Sequence, residues 1–143
     1  MNTQVVDRAA GNKARQRSLV ETLQNRAEID RADEFIHDDI VDHAAVPGMP
    51  AGIEGVKSVF RAIREGFPDH DAKIIHQIAE GDLVATYKTF TGTHHGNFFG
   101  TPATGKRATI EVMDFVRYRD GKVVEHWSIV DVAGLMRQLG AMQ

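Results

Sequence analysis

The stretch from Arg107 to Val130, RATIEVMDFVRYRDGKVVEHWSIV, alternates apolar and polar residues on both sides of a single Asp-Gly pair. Period-two alternation marks a half-buried strand, and Asp120-Gly121 suits the primed turn of a tight hairpin, so the stretch predicts two antiparallel strands. Side chains two apart share a face. Ile110, Val112, Val116 and Tyr118 therefore lie on one side of the first strand, and Met113 and Phe115 on the other. Both sides carry large apolar groups. If helices cover one, a second copy related by a two-fold axis is the simplest cover for the other, and we expect a homodimer through the outer sheet face.

Working outward, AKIIHQIAEGDLVATYKTFTGTHHG (72–96) holds two more strand-like runs joined at Glu80-Gly81-Asp82, a second hairpin. Before it, GIEGVKSVFRAIREGFPD (52–69) places Ile53, Val56, Val59, Phe60, Ile63 and Phe67 at spacings of three and four, a helix stopped by Gly66 and Pro68. Further back, KARQRSLVETLQ (13–24) reads as a helix with Asn12 as its N-cap, and RADEFIH (31–37) as a second short helix. DDIVDHAA (38–45) is strand-capable and runs into the Pro-Gly loop VPGMPAG (46–52). At the other end VAGLMRQLGAM (132–142) reads as a short helix, with Asp131 as its N-cap. Helices first and hairpin-joined strands later is the order of an α+β domain, its helices packed on one face of an antiparallel sheet.

The 143 residues suffice for one domain with its own core, 1–143, in which residues 1–11 are expected to be disordered. Seventeen basic against twenty acidic residues, without a run of like charge, argues against a nucleic-acid partner. The absence of cysteine excludes disulfides, a thiolate nucleophile and a Cys-based zinc site. No segment has the roughly 20 apolar residues needed to span a bilayer, nor does the N-terminus carry an apolar signal core, so the expected location is the cytoplasm, with no membrane partner.

The chemistry-bearing groups concentrate in the first-quoted hairpin. Asp114 shares the face of Ile110, Val112, Val116 and Tyr118; in apolar surroundings desolvation would raise its pKa and make it an acid or base near neutrality. The competing reading is a structural carboxylate neutralised by Arg117, Arg119 or another cation. His126 and Ser128 share a face of the second strand, and the turn brings His126 into the same region as Asp114, a plausible proton-transfer pair. A histidine satisfied by one backbone carbonyl is the bland alternative. Trp127 falls on the opposite face, as core or interface. Asp42 and His43 either close the mouth of a cavity or sit in water as turn residues. The adjacent His94 and His95 point apart, no H-x-H or H-E-x-x-H pattern exists, and GTPATGK (100–106) lacks the spacing and setting of a phosphate loop, so no metal or nucleotide site is expected.

The ordered segments FPDHDAKI (67–74), AEGDLVATYKTFTGTHHGNFFGTPATGKR (79–107), RDGKVVEHWSIVD (119–131) and GLMRQLG (134–140) resemble the SnoaL-like polyketide cyclases, a branch of the cone-shaped α+β superfamily that includes ketosteroid isomerase and scytalone dehydratase. The likeness runs from about Leu19 to Leu139. It implies a curved antiparallel sheet wrapped around N-terminal helices, an apolar pocket for a small apolar molecule, dimers through the outer sheet face, and acid–base chemistry without metal or cofactor: proton abstraction beside a carbonyl and an aldol-type ring closure. The family's catalytic aspartate lies two residues after the strand histidine, where this chain has Ser128, and the position of its assisting histidine is taken by Asp114. The expected catalytic pair is therefore Asp114 with His126, with His43, Phe60, Tyr118 and Ser128 on the ligand and Tyr118 or His126 polarising the carbonyl. Phe60, Phe67, Phe98, Phe99 and the loop around Met49 are expected to shape the pocket. The alternatives that remain are a non-catalytic binding protein of the same fold, or an isomerase, dehydratase or hydrolase.

Overall fold

In the computed structural model, residues 3–141 are described, with side chains from Arg8 onward. The chain runs α1 (Thr3–Leu19), a π-helical continuation (Val20–Asn25), a 3₁₀ turn (Ile29–Glu34), β1 (Ile36–Asp42), α2 (Gly52–Gly66), β2 (Asp71–Glu80), β3 (Leu83–Thr93), β4 (Arg107–Arg119), β5 (Lys122–Val130) and α3 (Val132–Leu139). One five-stranded sheet has the order β1-β5-β4-β3-β2. The α+β class, the helices on one sheet face and both hairpins are as expected.

Two local expectations are corrected. The first helix begins at Thr3, so Asn12 is an interior, buried residue of α1 and not an N-cap. Of the expected disordered start, Met1 and Asn2 lie outside the described residues, and from Thr3 the backbone is helical. The short helix expected through His37 stops earlier: only Ile29–Glu34 is helical, because Phe35 and Ile36 are drawn into strand pairing, with Val123 N donating to Phe35 O at 2.8 Å. The sheet is also not wholly antiparallel. β1 pairs parallel to β5, which is possible because no hairpin joins the two.

The β4–β5 turn explains itself locally. Asp120 and Gly121 both have positive φ, 51° and 79°, as a primed hairpin turn requires. Just beyond it the register slips by one: Tyr118 faces Val123, but Arg117 faces Glu125, leaving Val124 as a bulge. From there the pairs Val116–His126, Asp114–Ser128 and Val112–Val130 follow in step. Burial on β4 then alternates without a break, Ile110, Val112, Asp114, Val116 and Tyr118 buried and Met113 and Phe115 exposed. The inner face meets α1, the 3₁₀ turn and α2 in one core cluster around Leu23, Phe35 and Val84, and α3 in a second around Phe67, Phe90 and Leu135. Arg15 on α1 stacks over Phe35 and donates from Nε to Gly121 O at 2.9 Å, tying the helix to the turn.

α3 starts as expected: Asp131 Oδ1 accepts from Gly134 N at 2.9 Å, and Gly140 ends the helix in the left-handed conformation.

Candidate functional site

Between the inner sheet face and the helices lies a cavity of about 660 Å³. Its walls are mostly apolar: α2 contributes Val56, Val59, Phe60 and Ile63, α3 Leu135 and Met136, and the sheet Phe90, Ile110 and Val112. Phe98 and Phe99 come from the loop between β3 and β4, and Ala44, Ala45 and Val46 from the loop after β1. The volume falls within the range of small-molecule sites.

One wall is polar, and its groups form a line. Asp42 Oδ1 lies 2.8 Å from His126 Nδ1, and His126 Nε2 lies 2.8 Å from Asp114 Oδ1. On the far side, Lys88 Nζ lies 2.7 Å from Asp114 Oδ2 and donates to Gln24 Oε1 at 3.2 Å. Four strands supply the four ionisable groups, β1 Asp42, β5 His126, β4 Asp114 and β3 Lys88. Each sits at a position whose side chain points inward. Burial of Asp114 and Lys88 is nearly complete, 5% and 3% exposed. Charges at that depth are costly unless paired, and here each has a partner of opposite sign.

The electrostatics differ from the sequence expectation. Burial does push the Asp114 carboxyl upward, but Lys88 and His126 beside it outweigh burial and hold it well below the usual carboxylate range. The elevated group is His126. Burial opposes its charge, yet the hydrogen bonds it donates to Asp114 and Asp42 win and raise its pKa to about 9. Asp42, pushed up by burial, is brought below its ordinary value by His126 and by Ala44 N. The expectation of an Asp114 pKa raised by desolvation is thus corrected: the neutralising cation is Lys88, while Arg117 is engaged with Asp82 and Glu125 on the other face.

Of the expected site residues, Asp114, His126, Phe60 and Ser128 all line the cavity, with Ser128 directly across the ladder from Asp114. Tyr118 does not. It is buried beyond the cavity's end, its O–H donating to Gln16 Oε1 at 2.6 Å, and it faces a separate recess beside Arg8 and Asp82. Burial raises its pKa further, so the phenol stays protonated. His43 also misses the cavity, because its neighbour Asp42 takes the inward parity; its ring stacks on Trp127 at 4.8 Å and bonds Glu125 at 2.7 Å. Of the aromatic residues expected to shape the pocket, Phe60, Phe98 and Phe99 do so, whereas Phe67 is core behind them, stacked on His94.

Lys88 is the residue sequence reading missed. A signal was present: in LVATYKTFTGT it shares parity with Val84 and Phe90, so a lysine stands where the strand faces the core. Among the described residues, no three His, Asp or Glu side chains converge as a metal-binding group, and no helix is long and apolar enough to cross a membrane.

With this geometry in view, comparison with known proteins identifies the class. The family model of SnoaL-like polyketide cyclases matches residues 14–139, and the chain belongs to that family. It is 30% identical over 118 residues to the nogalonic acid methyl ester cyclase of Streptomyces nogalater, covering 81% of this chain and 88% of that protein. With the aklanonic acid methyl ester cyclase of Streptomyces peucetius it shares 31% over 128 residues, 87% of each. Among solved structures, AclR of Streptomyces galilaeus, a candidate hydroxylase, superposes with a TM-score of 0.82 at 30% identity, covering 94% of this chain and 88% of that one.

Proposed function

We propose that this chain catalyses an aldol-type cyclisation of a small apolar carbonyl compound by acid–base chemistry, using no resident cofactor. The observation that carries the reading is the buried Asp114–Lys88 pair, a base and a cationic donor side by side on the polar wall of an otherwise apolar cavity. An ammonium has three hydrogens. Gln24 accepts one and Asp114 stands beside the group as its counter-ion, which leaves a hydrogen for a carbonyl oxygen of the ligand.

The steps close without an external reagent. Asp114 removes a proton from the carbon beside the carbonyl, the enolate charge settles against Lys88, and the carbon attacks a second carbonyl of the same molecule. The new alkoxide then takes the proton back from Asp114. A carboxylate held so low is a poor base in isolation. Its depression comes from Lys88 and His126, and as the enolate forms, negative charge moves to the substrate while those cations stay, so much of their stabilisation is transferred to the transition state.

The depressed Asp114 also favours a second reading, a receptor that orients a small apolar molecule without reaction. Solvent deuterium exchange separates the two. With a cyclic β-keto ester as surrogate, wild type is expected to exchange the carbon-bound proton, and Asp114→Asn to lose roughly 100-fold or more of that rate while still binding. Exchange that survives Asp114→Asn unchanged would remove Asp114 as the base; binding without exchange in wild type would leave the receptor.

The exposed outer face supports a homodimer as the working form, since Met113, Phe115 and Ile129 stand on it at 60%, 49% and 79% exposure.

A further inference from the structure

We infer that Asp42 is a positioning residue of this site: with Asp114 it clasps the His126 ring between two carboxylates, fixing its orientation and holding it as an imidazolium. The inference deepens the reading of the site proposed above. A neutral imidazole has one N–H and one lone pair, so it can donate to one carboxylate only. Facing ionised oxygens 2.8 Å away on both sides, a neutral ring would set a lone pair against a carboxylate. Only the doubly protonated ring satisfies both contacts.

The backbone builds this clasp. Asp42 and His126 are register partners in the parallel β1–β5 ladder, and His43 N donates to His126 O at 2.8 Å immediately beside them. Ala44 N donates to Asp42 Oδ1 at 2.9 Å, so the carboxylate itself is held in place. Among the described residues, no other charge faces the ring. β4 brings Asp114, and β3 brings Lys88 on the far side of Asp114. The helical segments bring Gln16 and Gln24, while α2 and α3 present only apolar side chains to the cavity. Glu125 and His43 lie on the opposite sheet face, bonded to each other.

The clasp has a consequence for Asp114. An imidazolium that is neutralised by two carboxylates rather than one shares its hydrogen-bonding strength, and removing Asp42 would give Asp114 the whole of a more easily lost charge. Asp42 therefore sets how high in pH the cavity keeps its two-cation, two-anion balance.

The test is the His126 titration, followed by NMR of the imidazole carbons in wild type and Asp42→Asn, a nearly isosteric change that keeps the hydrogen-bonding oxygen and deletes the charge. The wild-type midpoint is expected near 9, and the Asp42→Asn midpoint lower by about one unit or more. In parallel, the alkaline limb of deuterium exchange should move down by the same amount. An unchanged His126 midpoint overturns the inference. A midpoint that falls while exchange keeps its wild-type pH profile upholds the role of Asp42 and counts against the use of His126 in the proposed reaction. If Asp42→Asn does not fold, the wild-type Asp42 carboxyl carbon supplies the readout: a midpoint below the ordinary aspartate value with a second step at the His126 midpoint supports the clasp, and a single ordinary titration overturns it.

Discussion

The two faces of the sheet carry two chains of charge built from neighbouring residues. On the inner face, Asp42, His126, Asp114 and Lys88 follow one another at 2.7–2.8 Å. On the outer face, His43, Glu125, Arg117 and Asp82 do the same at 2.7–3.1 Å. Asp42 and His43 are adjacent in sequence, as are Glu125 and His126, so alternation along a strand deals one member to each face. The bond lengths are nearly the same in both. What differs is the medium: the outer side chains are 27–43% exposed and free to re-pair, whereas the inner chain runs from part-exposed His126 into the Asp114 and Lys88 side chains at 6% and 4%, where a charge that loses its partner has no water to replace it.

The largest expected effect comes from breaking the inner chain at its most buried link. Lys88→Met keeps most of the side-chain volume but leaves the buried Asp114 carboxylate with only His126, a cation it shares with Asp42, and we expect a loss of about 3–5 kcal/mol of stability in denaturant unfolding. The Asp114 carboxyl should also titrate higher than in wild type, since His126 alone then opposes burial. Lys88→Met with Asp114→Leu, which removes both charges, should recover much of the loss. If the double variant is no more stable than the single, the cost lies in packing and not in the unpaired charge.

A smaller effect is expected from pH alone. His126 has a folded pKa near 9 against an ordinary value of 6.5. A raised pKa means that the folded state binds the proton more tightly, so its contribution is fully present below about pH 6.5 and is lost as pH rises through 9. The shift corresponds to at most about 3 kcal/mol. Asp114 acts in the opposite direction: its depressed pKa stabilises the fold above the ordinary carboxylate range and is lost only in strong acid. Stability should therefore decline between pH 6.5 and 9, and His126→Gln should flatten that decline.

How much of this was legible in the sequence depends on whether a residue's face could be counted from a turn. Asp131 as a cap, the two hairpins and the division of β4 into a buried and an exposed side all followed from local chemistry. His126 near Asp114 followed too, but their shared face did not. Strict counting from Asp120-Gly121 opposes His126 to Phe115, on the outer side, and the Val124 bulge is what turns the imidazole inward opposite Val116. Nothing in KVVEHW marks that bulge, because β-branched residues suit both arrangements. Which of Asp42 and His43 turns inward was hidden for a related reason: β1 joins β5 in parallel, without a hairpin from which to count. Lys88 was legible by parity and was missed because a lysine is expected to point to water.

The outer chain gives the smallest expected effect and the sharpest test of the comparison. Glu125 accepts from Arg117 Nε at 3.1 Å and faces His43 Nε2 at 2.7 Å, and these partners hold its carboxyl below the ordinary glutamate range. Drawn as a diagram of contacts, it occupies the same place as Asp114. Glu125→Gln should nevertheless leave the unfolding midpoint close to wild type, with any difference vanishing in high salt, because water and mobile ions replace what the carboxylate supplied. Arg117 keeps Asp82 in any case. A clear loss that persists in salt would show that the outer face is itself shielded from water, as a second copy packed over Phe115 and Trp127 would make it, and the contrast between the faces would then be between a cavity and an interface.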